Sequence, residues 1–170
     1  VDAPGADAAT LVEILLPARR LLVVGATPVG AALARLALAA DIPVEVIEPR
    51  AAYAAALEDV PVTVDGRWPD EALGDREADP STAVAVVAHD ERIDVAALEI
   101  VLRQPYGYVG LLGGGRTRRH RFEAVRASGV SEARIEAVRA PIGLELGAER
   151  PAEIALAILA QIVAEWRGAG

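Results

Sequence analysis

Two glycines and a threonine form a turn that could hold a phosphate group. Gly25, Thr27 and Gly30 lie between an aliphatic run and an Ala/Leu-rich stretch with helical spacing. Such a turn brings phosphate close to the free N–H groups of a helix N-terminus. Thr27 replaces the second glycine of the G-x-G-x-x-G pattern, and Pro28 removes one N–H donor. We therefore predict weak binding of NAD, NADP and FAD, and tighter binding after Thr27→Gly.

An acid follows the next aliphatic run. Glu48 ends the run Val44–Ile47, about 20 residues after the glycine turn, where the dinucleotide pattern places an acid that binds ribose hydroxyls. A solvated acid at a strand end is the alternative. Arg50 follows closely and leaves open a preference for a 2′-phosphate. We therefore include Glu48 among the candidate ligand-binding residues.

A histidine and an aspartate follow the run Ser81–Ala88. His89 and Asp90 are the one plausible acid/base pair in this sequence. A structural role at a strand end is the alternative for His89, and Asp94 fits an early helical position at least as well as a site. We take His89 and Asp90 as candidate binding residues and assign no catalytic residue.

A second glycine cluster precedes an arginine-rich stretch. Gly113, Gly114 and Gly115 follow the run Tyr106–Leu112, and Arg116 comes next. Backbone N–H groups and a guanidinium group at a helix start could grip phosphate together. We expect three further arginines to face solvent or a partner: Arg118, Arg119 and Arg121. We expect His120 to lie at the surface.

The segment Ala140–Ala148 has no helical or strand periodicity and contains Gly143 and Glu145. It could close over the same ligand edge or serve as a plain connection. We include Gly143 among the candidate binding residues.

Alternating strands and helices must position these groups. The predicted strands are Leu21–Val24, Pro43–Ile47, Pro61–Val64, Ser81–Ala88 and Tyr106–Leu112. The predicted helices are Pro28–Ala40, Ala51–Leu57, Ile93–Arg103, Arg116–Ala127 and Pro151–Trp166, with short helical pieces near Glu71 and after Ser131. This alternation predicts an α/β fold: a doubly wound, Rossmann-like, mostly parallel sheet in a single domain, 19–170, after a lead-in segment, 1–18, with a short strand at Thr10–Leu16. The usual strand order, 3-2-1-4-5-6, would place His89 and Asp90 beside the glycine turn.

Composition excludes several other classes of function. The 170 residues carry a net charge of -8, whereas nucleic-acid binding favours a basic face. No apolar run approaches the roughly 18 residues that span a membrane, and the N-terminus lacks the pattern of a signal peptide, so we expect a cytoplasmic protein. The sequence contains no cysteine and no lysine, which excludes thiolate metal ligands and a Schiff-base lysine. We predict no metal site.

Three motifs begin at His89 (HDERIDVAAL), Tyr108 (YVGLLG) and Ala140 (APIGLELGAERPAEIA). Together they resemble the XdhC/CoxI family, and in particular its C-terminal Rossmann domain. The resemblance implies a maturation factor, or chaperone, for a molybdenum hydroxylase such as xanthine dehydrogenase or carbon monoxide dehydrogenase. It also implies binding of the molybdenum cofactor, a pterin, or of a related dinucleotide. The chain departs from the family at Thr27 and Pro28, and at Gly113–Thr117, where the family has Gly-Ser-Arg-Arg-Lys. We also expect no counterpart of the family's cysteine-bearing N-terminal domain.

Two other functions stay open. An NAD(P)-binding oxidoreductase would need an acid/base group and a substrate pocket, and a degenerate Rossmann domain would keep only its partner contacts. We favour the chaperone over an enzyme. Abundant Ala and Leu, together with Trp166 on the last helix, lead us to expect a homodimer. The full set of candidate binding residues is Gly25, Thr27, Gly30, Glu48, His89, Asp90, Gly113, Gly114, Arg116 and Gly143.

Overall fold

Five parallel strands form the centre of the structure, a computed structural model that describes residues 18–168. The strands are β1 (Arg20–Val24), β2 (Val44–Ile47), β3 (Thr63–Asp65), β4 (Thr82–Val86) and β5 (Tyr108–Leu111). The helices are α1 (Pro28–Ala39), α2 (Ala51–Ala54), α3 (Pro69–Gly74), α4 (Glu91–Val101), α5 (Gly115–Ala127), α6 (Glu132–Glu136) and α7 (Pro151–Arg167), with a 3₁₀ turn at Ala55–Leu57. The predicted strand Thr10–Leu16 lies outside the described residues, and the division into a lead-in and one domain stays a prediction.

The order of the strands is β3-β2-β1-β4-β5, with every neighbouring pair parallel. The predicted α/β class and the predicted neighbours of the first strand are confirmed. In the position expected for a sixth strand, the segment around Arg139 runs parallel to β5. Its N–H group donates to Val109, and its carbonyl accepts from Leu111.

Helices cover both faces of the sheet because the side chains of each strand alternate in direction. In β1, Leu21 and Val23 pack towards α1 and α7, whereas Leu22 and Val24 pack towards the layer formed by α3, α4, α5 and α6. All four side chains are buried. This two-sided burial explains why the strands read as unbroken aliphatic runs.

Two predicted elements differ in detail. The predicted helix Ala51–Leu57 is a short α-helix followed by a 3₁₀ turn, and the helical turn expected near Glu71 is the six-residue helix α3. Pro69 begins α3 because its fixed φ suits a first helical position. Within residues 18–168, none of the helices is long and apolar enough to cross a membrane.

Candidate functional site

Close packing explains both glycines of the first turn. Gly25 has φ +107°, and a Cβ there would overlap the backbone of Ala88. A Cβ on Gly30 would overlap the carbonyl oxygen of Gly25. Ala88 lies just before His89, so the end of β4 lies against the glycine turn as the strand order predicts.

Thr27 holds the start of α1. Its hydroxyl donates to the carbonyl of Val87 at 2.9 Å and accepts from the N–H of Gly30 at 3.3 Å. It is a threonine N-cap, which satisfies one of the N–H groups that a phosphate would otherwise use. The N–H of Gly25 donates to Ile47. Hydrogen-bond donors of the turn are therefore already bound to other groups of the protein and are not free for a phosphate.

The carboxylate of Glu48 is buried, with 1% of the residue exposed, and binds protein groups on both oxygens. Oε2 accepts from the N–H of Ala26 at 2.7 Å and from Nη2 of Arg50 at 2.8 Å. Oε1 accepts from the backbone N–H and from Nε of Arg50, at 2.9 and 2.7 Å. These hydrogen bonds with Glu48 raise the pKa of Arg50 above its usual value. The acid lies where a ribose-binding residue belongs, but it is engaged internally.

His89 and Asp90 occupy the adjacent strand end. His89 is exposed and has φ +57°, a left-handed conformation that few residues other than glycine adopt. The side chain of Asp90 caps α4, since Oδ1 accepts from the N–H groups of Arg92 at 3.0 Å and Ile93 at 3.4 Å. Helix α4 therefore begins at Glu91, two residues before the predicted start. Strained backbone beside a ligand edge is a feature of functional sites.

The second glycine cluster begins α5. The N-cap is Gly114, which has no side chain to bind the first N–H groups of the helix. Arg116 is exposed in the first turn, and a Cβ on Gly114 or Gly115 would meet nothing within 4 Å. This helix start combines open backbone with a cation, which is an arrangement suited to phosphate.

Two of the arginines expected to face solvent or a partner are bound within the protein: Arg121 is buried, and Arg118 is partly exposed. Arg121 is 8% exposed, and its guanidinium lies 3.3 Å from both Glu91 and Asp94 of α4. Nη1 of Arg118 donates to the carbonyl of Ala140 at 2.5 Å. Both side chains point at neighbouring elements because α5 packs between α4 and the segment near residue 140. Arg119 and His120 are exposed, as predicted.

Asp94 is a buried acid whose role the sequence did not decide. One oxygen faces Arg121, and the other, Oδ1, is buried without a hydrogen-bond partner among residues 18–168. Burial raises the pKa of Asp94 to about 6, although the hydrogen bond and charge of Arg121 act in the opposite direction. A sequence signal existed, because Asp94 shares the helical face of the buried residues Ala97, Leu98 and Val101.

Gly143 lies beside the segment that continues the sheet past β5. Its φ is +104°, its N–H donates to Oε1 of Gln161 at 2.9 Å, and its carbonyl accepts from Nε2 of Gln161 at 3.3 Å. Tyr108 donates to the same Oε1 at 2.6 Å. These contacts give Gly143 a structural function: it ties the loop to α7.

The first turn and the acid after β2 therefore have internal partners, whereas the start of α5 and His89 are exposed at the same edge. Across residues 18–168, no group of three or more His, Asp or Glu side chains is arranged to hold a metal ion.

Comparison with known proteins supports the resemblance found in the sequence. Residues 21–162 match the family described as the XdhC Rossmann domain. A probable xanthine dehydrogenase subunit from Bacillus subtilis is 30% identical over 156 residues, 89% of this chain and 44% of that protein. An uncharacterized protein, YqeB of Escherichia coli, is 34% identical over 84 residues, 49% of this chain and 15% of that protein. The chain thus spans less than half the length of these relatives.

A solved structure has the same fold. The crystal structure of a xanthine dehydrogenase from Bacillus halodurans superposes with a TM-score of 0.76 at 23% identity, over 89% of this chain and 45% of that one. Since the family match covers most of the chain, from β1 to the last helix, the protein belongs to the XdhC Rossmann domain family.

Proposed function

We propose that this chain takes part in the maturation of a molybdenum hydroxylase, as a chaperone that holds a phosphate-bearing pterin and contacts the client enzyme. The family match supports the role, and the names of two similar proteins refer to xanthine dehydrogenase. We also propose a cytoplasmic location. The observation that carries the ligand part is the open N-terminus of α5 with Arg116 in its first turn.

The first glycine turn and the start of α5 differ in how well they fit a phosphate group. At the first turn, Pro28 has no N–H, and the N–H groups of Gly25, Ala26 and Gly30 are bound within the protein. At α5, Gly114 and Gly115 leave the backbone open. The residues present therefore fit a phosphate at the β4–β5 half of the edge, and we narrow the proposed site to that half.

Each residue there has a distinct task. The N–H groups at the start of α5 would donate to phosphate oxygens, and Arg116 would supply the positive charge. Asp90 lies at the neighbouring strand end, and its ionised carboxylate could accept hydrogen bonds from the amino and ring N–H groups of a pterin. The molybdenum cofactor, when bound, supplies the metal centre that the client enzyme needs.

The internal pair of Glu48 and Arg50 weighs against an NAD(P)-dependent oxidoreductase. NAD would need the acid for its ribose, and NADP would need the arginine for its 2′-phosphate. The remaining alternative, a domain that has lost its ligand and kept a partner contact, is an outcome of the experiment below.

The test is co-expression of the chain with a client molybdenum hydroxylase. Arg116→Ala should weaken phosphate binding by about 1.5–3 kcal/mol, or roughly 10- to 150-fold, and so lower the molybdenum content and activity of the client. Arg134→Ala is the matched control, since Arg134 is exposed on α6 near the residues that precede β5, at the opposite edge. Asp90→Asn should also lower molybdenum content without unfolding α4, because Asn caps helices as well as Asp.

Two outcomes decide between the alternatives. Equal client activity with wild type, Arg116→Ala and an empty vector would contradict the maturation role. If client activity requires the chain but is the same with Arg116→Ala as with wild type, the chain is a partner-binding domain that does not hold this ligand.

A further inference from the structure

The side chain of Arg50 crosses the carboxyl end of the central strand. It starts just after β2 and binds both oxygens of Glu48. Its two terminal nitrogens also lie 3.4 and 3.3 Å from the carbonyl oxygen of Ala88, which follows β4. In the sheet, β1 lies between β2 and β4. The guanidinium group therefore spans the crevice in which a doubly wound sheet binds its nucleotide.

Further contacts fix Arg50 in this position. The guanidinium lies over the ring of Tyr53, with 4.2 Å between its central carbon and the ring centroid. The fork of Nε and Nη2 matches the two carboxylate oxygens of Glu48 in a bidentate pair, a geometry that gives both strength and direction. The side chain of Arg50 is 26% exposed and that of Glu48 is 0% exposed. The pair is thus largely shielded from the competition of water.

This arrangement also fills the acceptor capacity of Glu48. A carboxylate offers about four lone-pair sites, and Glu48 accepts four hydrogen bonds, two on each oxygen. The carboxylate of Glu48 therefore has no free acceptor site for the hydroxyl groups of a ribose. To bind there, a ribose would have to displace Arg50, which would then lose its hydrogen bonds to Glu48 and to the carbonyl of Ala88.

We propose that Arg50 is a built-in occupant of the dinucleotide crevice, which excludes ribose from Glu48 and restricts ligand binding to the β4–β5 half of the edge. It would weaken nucleotide binding independently of the Thr27-Pro28 sequence, because it acts on the ribose and not on the pyrophosphate. It goes beyond the maturation role and does not depend on it, since it concerns nucleosides alone.

The experiment measures the binding of adenosine, which carries ribose but no pyrophosphate, by NMR titration of the full chain. Arg50→Ala should bind adenosine at least about tenfold more tightly than wild type, the factor that corresponds to losing one competing charge-assisted hydrogen bond. 2′-Deoxyadenosine is the matched control ligand. Its affinity for Arg50→Ala should exceed its affinity for wild type by much less, because one hydroxyl is missing. In the double variant Glu48→Gln, Arg50→Ala, the gain in adenosine affinity over wild type should disappear.

Arg35→Ala is the matched protein control. The guanidinium of Arg35 also donates a hydrogen bond to a backbone carbonyl, that of Ala56 at 2.7 Å, but on the exposed side of α1. It should leave adenosine affinity unchanged. Arg50→Gln provides a second variant if Arg50→Ala does not fold, since the amide keeps two N–H donors near Glu48 but carries no charge. A smaller rise in affinity than with Arg50→Ala is expected, because the amide can still donate to one oxygen of Glu48.

Two results would overturn the proposal. One is adenosine binding by Arg50→Ala and Arg50→Gln that is no tighter than in wild type. The other is tight binding of 2′-AMP by the wild type that is lost in Arg50→Ala, because Arg50 would then be a receptor for a 2′-phosphate and not an internal occupant.

Discussion

The carboxylate of Asp94 lies on the buried face of α4, between the sheet and α5. Arg121 faces one oxygen, and burial still raises the pKa to about 6 from an ordinary value of 3.8. Between these two values the folded protein holds a proton that the unfolded chain has lost. The contribution of Asp94 to stability is therefore greatest below pH 4 and declines as the pH rises through 6.

Asp94→Asn removes this titration. A shift of about two pKa units corresponds to about 3 kcal/mol, so wild type should lose up to that much stability relative to Asp94→Asn between pH 4 and 7. Urea denaturation at a series of pH values measures the difference. Asp70→Asn, at an exposed position on α3, is the control and should follow wild type. A constant difference between wild type and Asp94→Asn over this range would show that Asp94 does not titrate there.

At the scale of single elements, Gln161 links three parts of the structure. From α7 it binds the peptide of Gly143 and the hydroxyl of Tyr108 on β5. All three hydrogen bonds are at least partly buried. Removing the amide leaves the Tyr108 hydroxyl and the N–H and carbonyl groups of Gly143 without these hydrogen bonds. Each buried polar group left unpaired costs about 1–3 kcal/mol of stability.

Gln161→Ala should therefore loosen the loop after Ile142 more than the rest of the domain. We expect hydrogen exchange at Gly143 to become at least about tenfold faster, the factor for 1.4 kcal/mol of local opening. Amides of α1 should exchange as in wild type. Gln104→Ala, on the turn after α4, is the matched control. Equal acceleration in α1 and at Gly143 would instead indicate a general loss of stability.

Strand positions and strand order could be predicted from the sequence because they follow from strong physical regularities. Buried parallel strands need aliphatic side chains on both faces, and a glycine turn after the first strand sets the switch point. The predicted strand ends at Val24 and Ile47 agree with the structure. Predicted ends elsewhere differ by a few residues, as at β4, which ends at Val86 and not at Ala88.

The direction of long polar side chains could not be predicted in the same way. Arg50 is two residues after Glu48, and nothing in that spacing tells whether the guanidinium points to solvent, to a ligand or to the carboxylate. The burial of Arg121 depends on how α5 packs against α4, which is a tertiary property. The position of Asp90 at the edge follows from the strand order. Its function as the N-cap of α4 could not be predicted, because the sequence placed the start of that helix two residues too late.

At the scale of the whole molecule, α7 presents an apolar stripe away from the core. Leu156 is 53% exposed and Val163 is 37% exposed. Trp166, which the sequence suggests as a contact residue, is half-buried and packs against the core. Glu153 and Arg167 lie at opposite ends of the same stripe, because residues spaced by three, four and seven positions share a helical face. The proposed contact surface is therefore the stripe from Glu153 to Arg167.

This stripe is complementary to itself. In a twofold, antiparallel contact the same patch is used by both copies. Leu156 of one copy would meet Val163 of the other, and Arg167 would approach Glu153. Like-charged groups would meet instead if two such helices paired in parallel. We therefore propose that the chain forms a homodimer through α7.

Leu156→Glu should convert this dimer to a monomer, because the contact would bury a carboxylate against Val163 of the second copy without a partner. Light scattering on the purified chain over a range of concentrations measures the change in mass. Trp68→Glu is the matched control, since Trp68 is also a large exposed apolar residue, 39% exposed, but precedes α3 on the other face of the sheet. High salt should weaken the dimer by screening the pairs of Arg167 with Glu153. A wild-type chain that stays monomeric at millimolar concentration would exclude the contact, and a dimer that survives Leu156→Glu would place it on another surface.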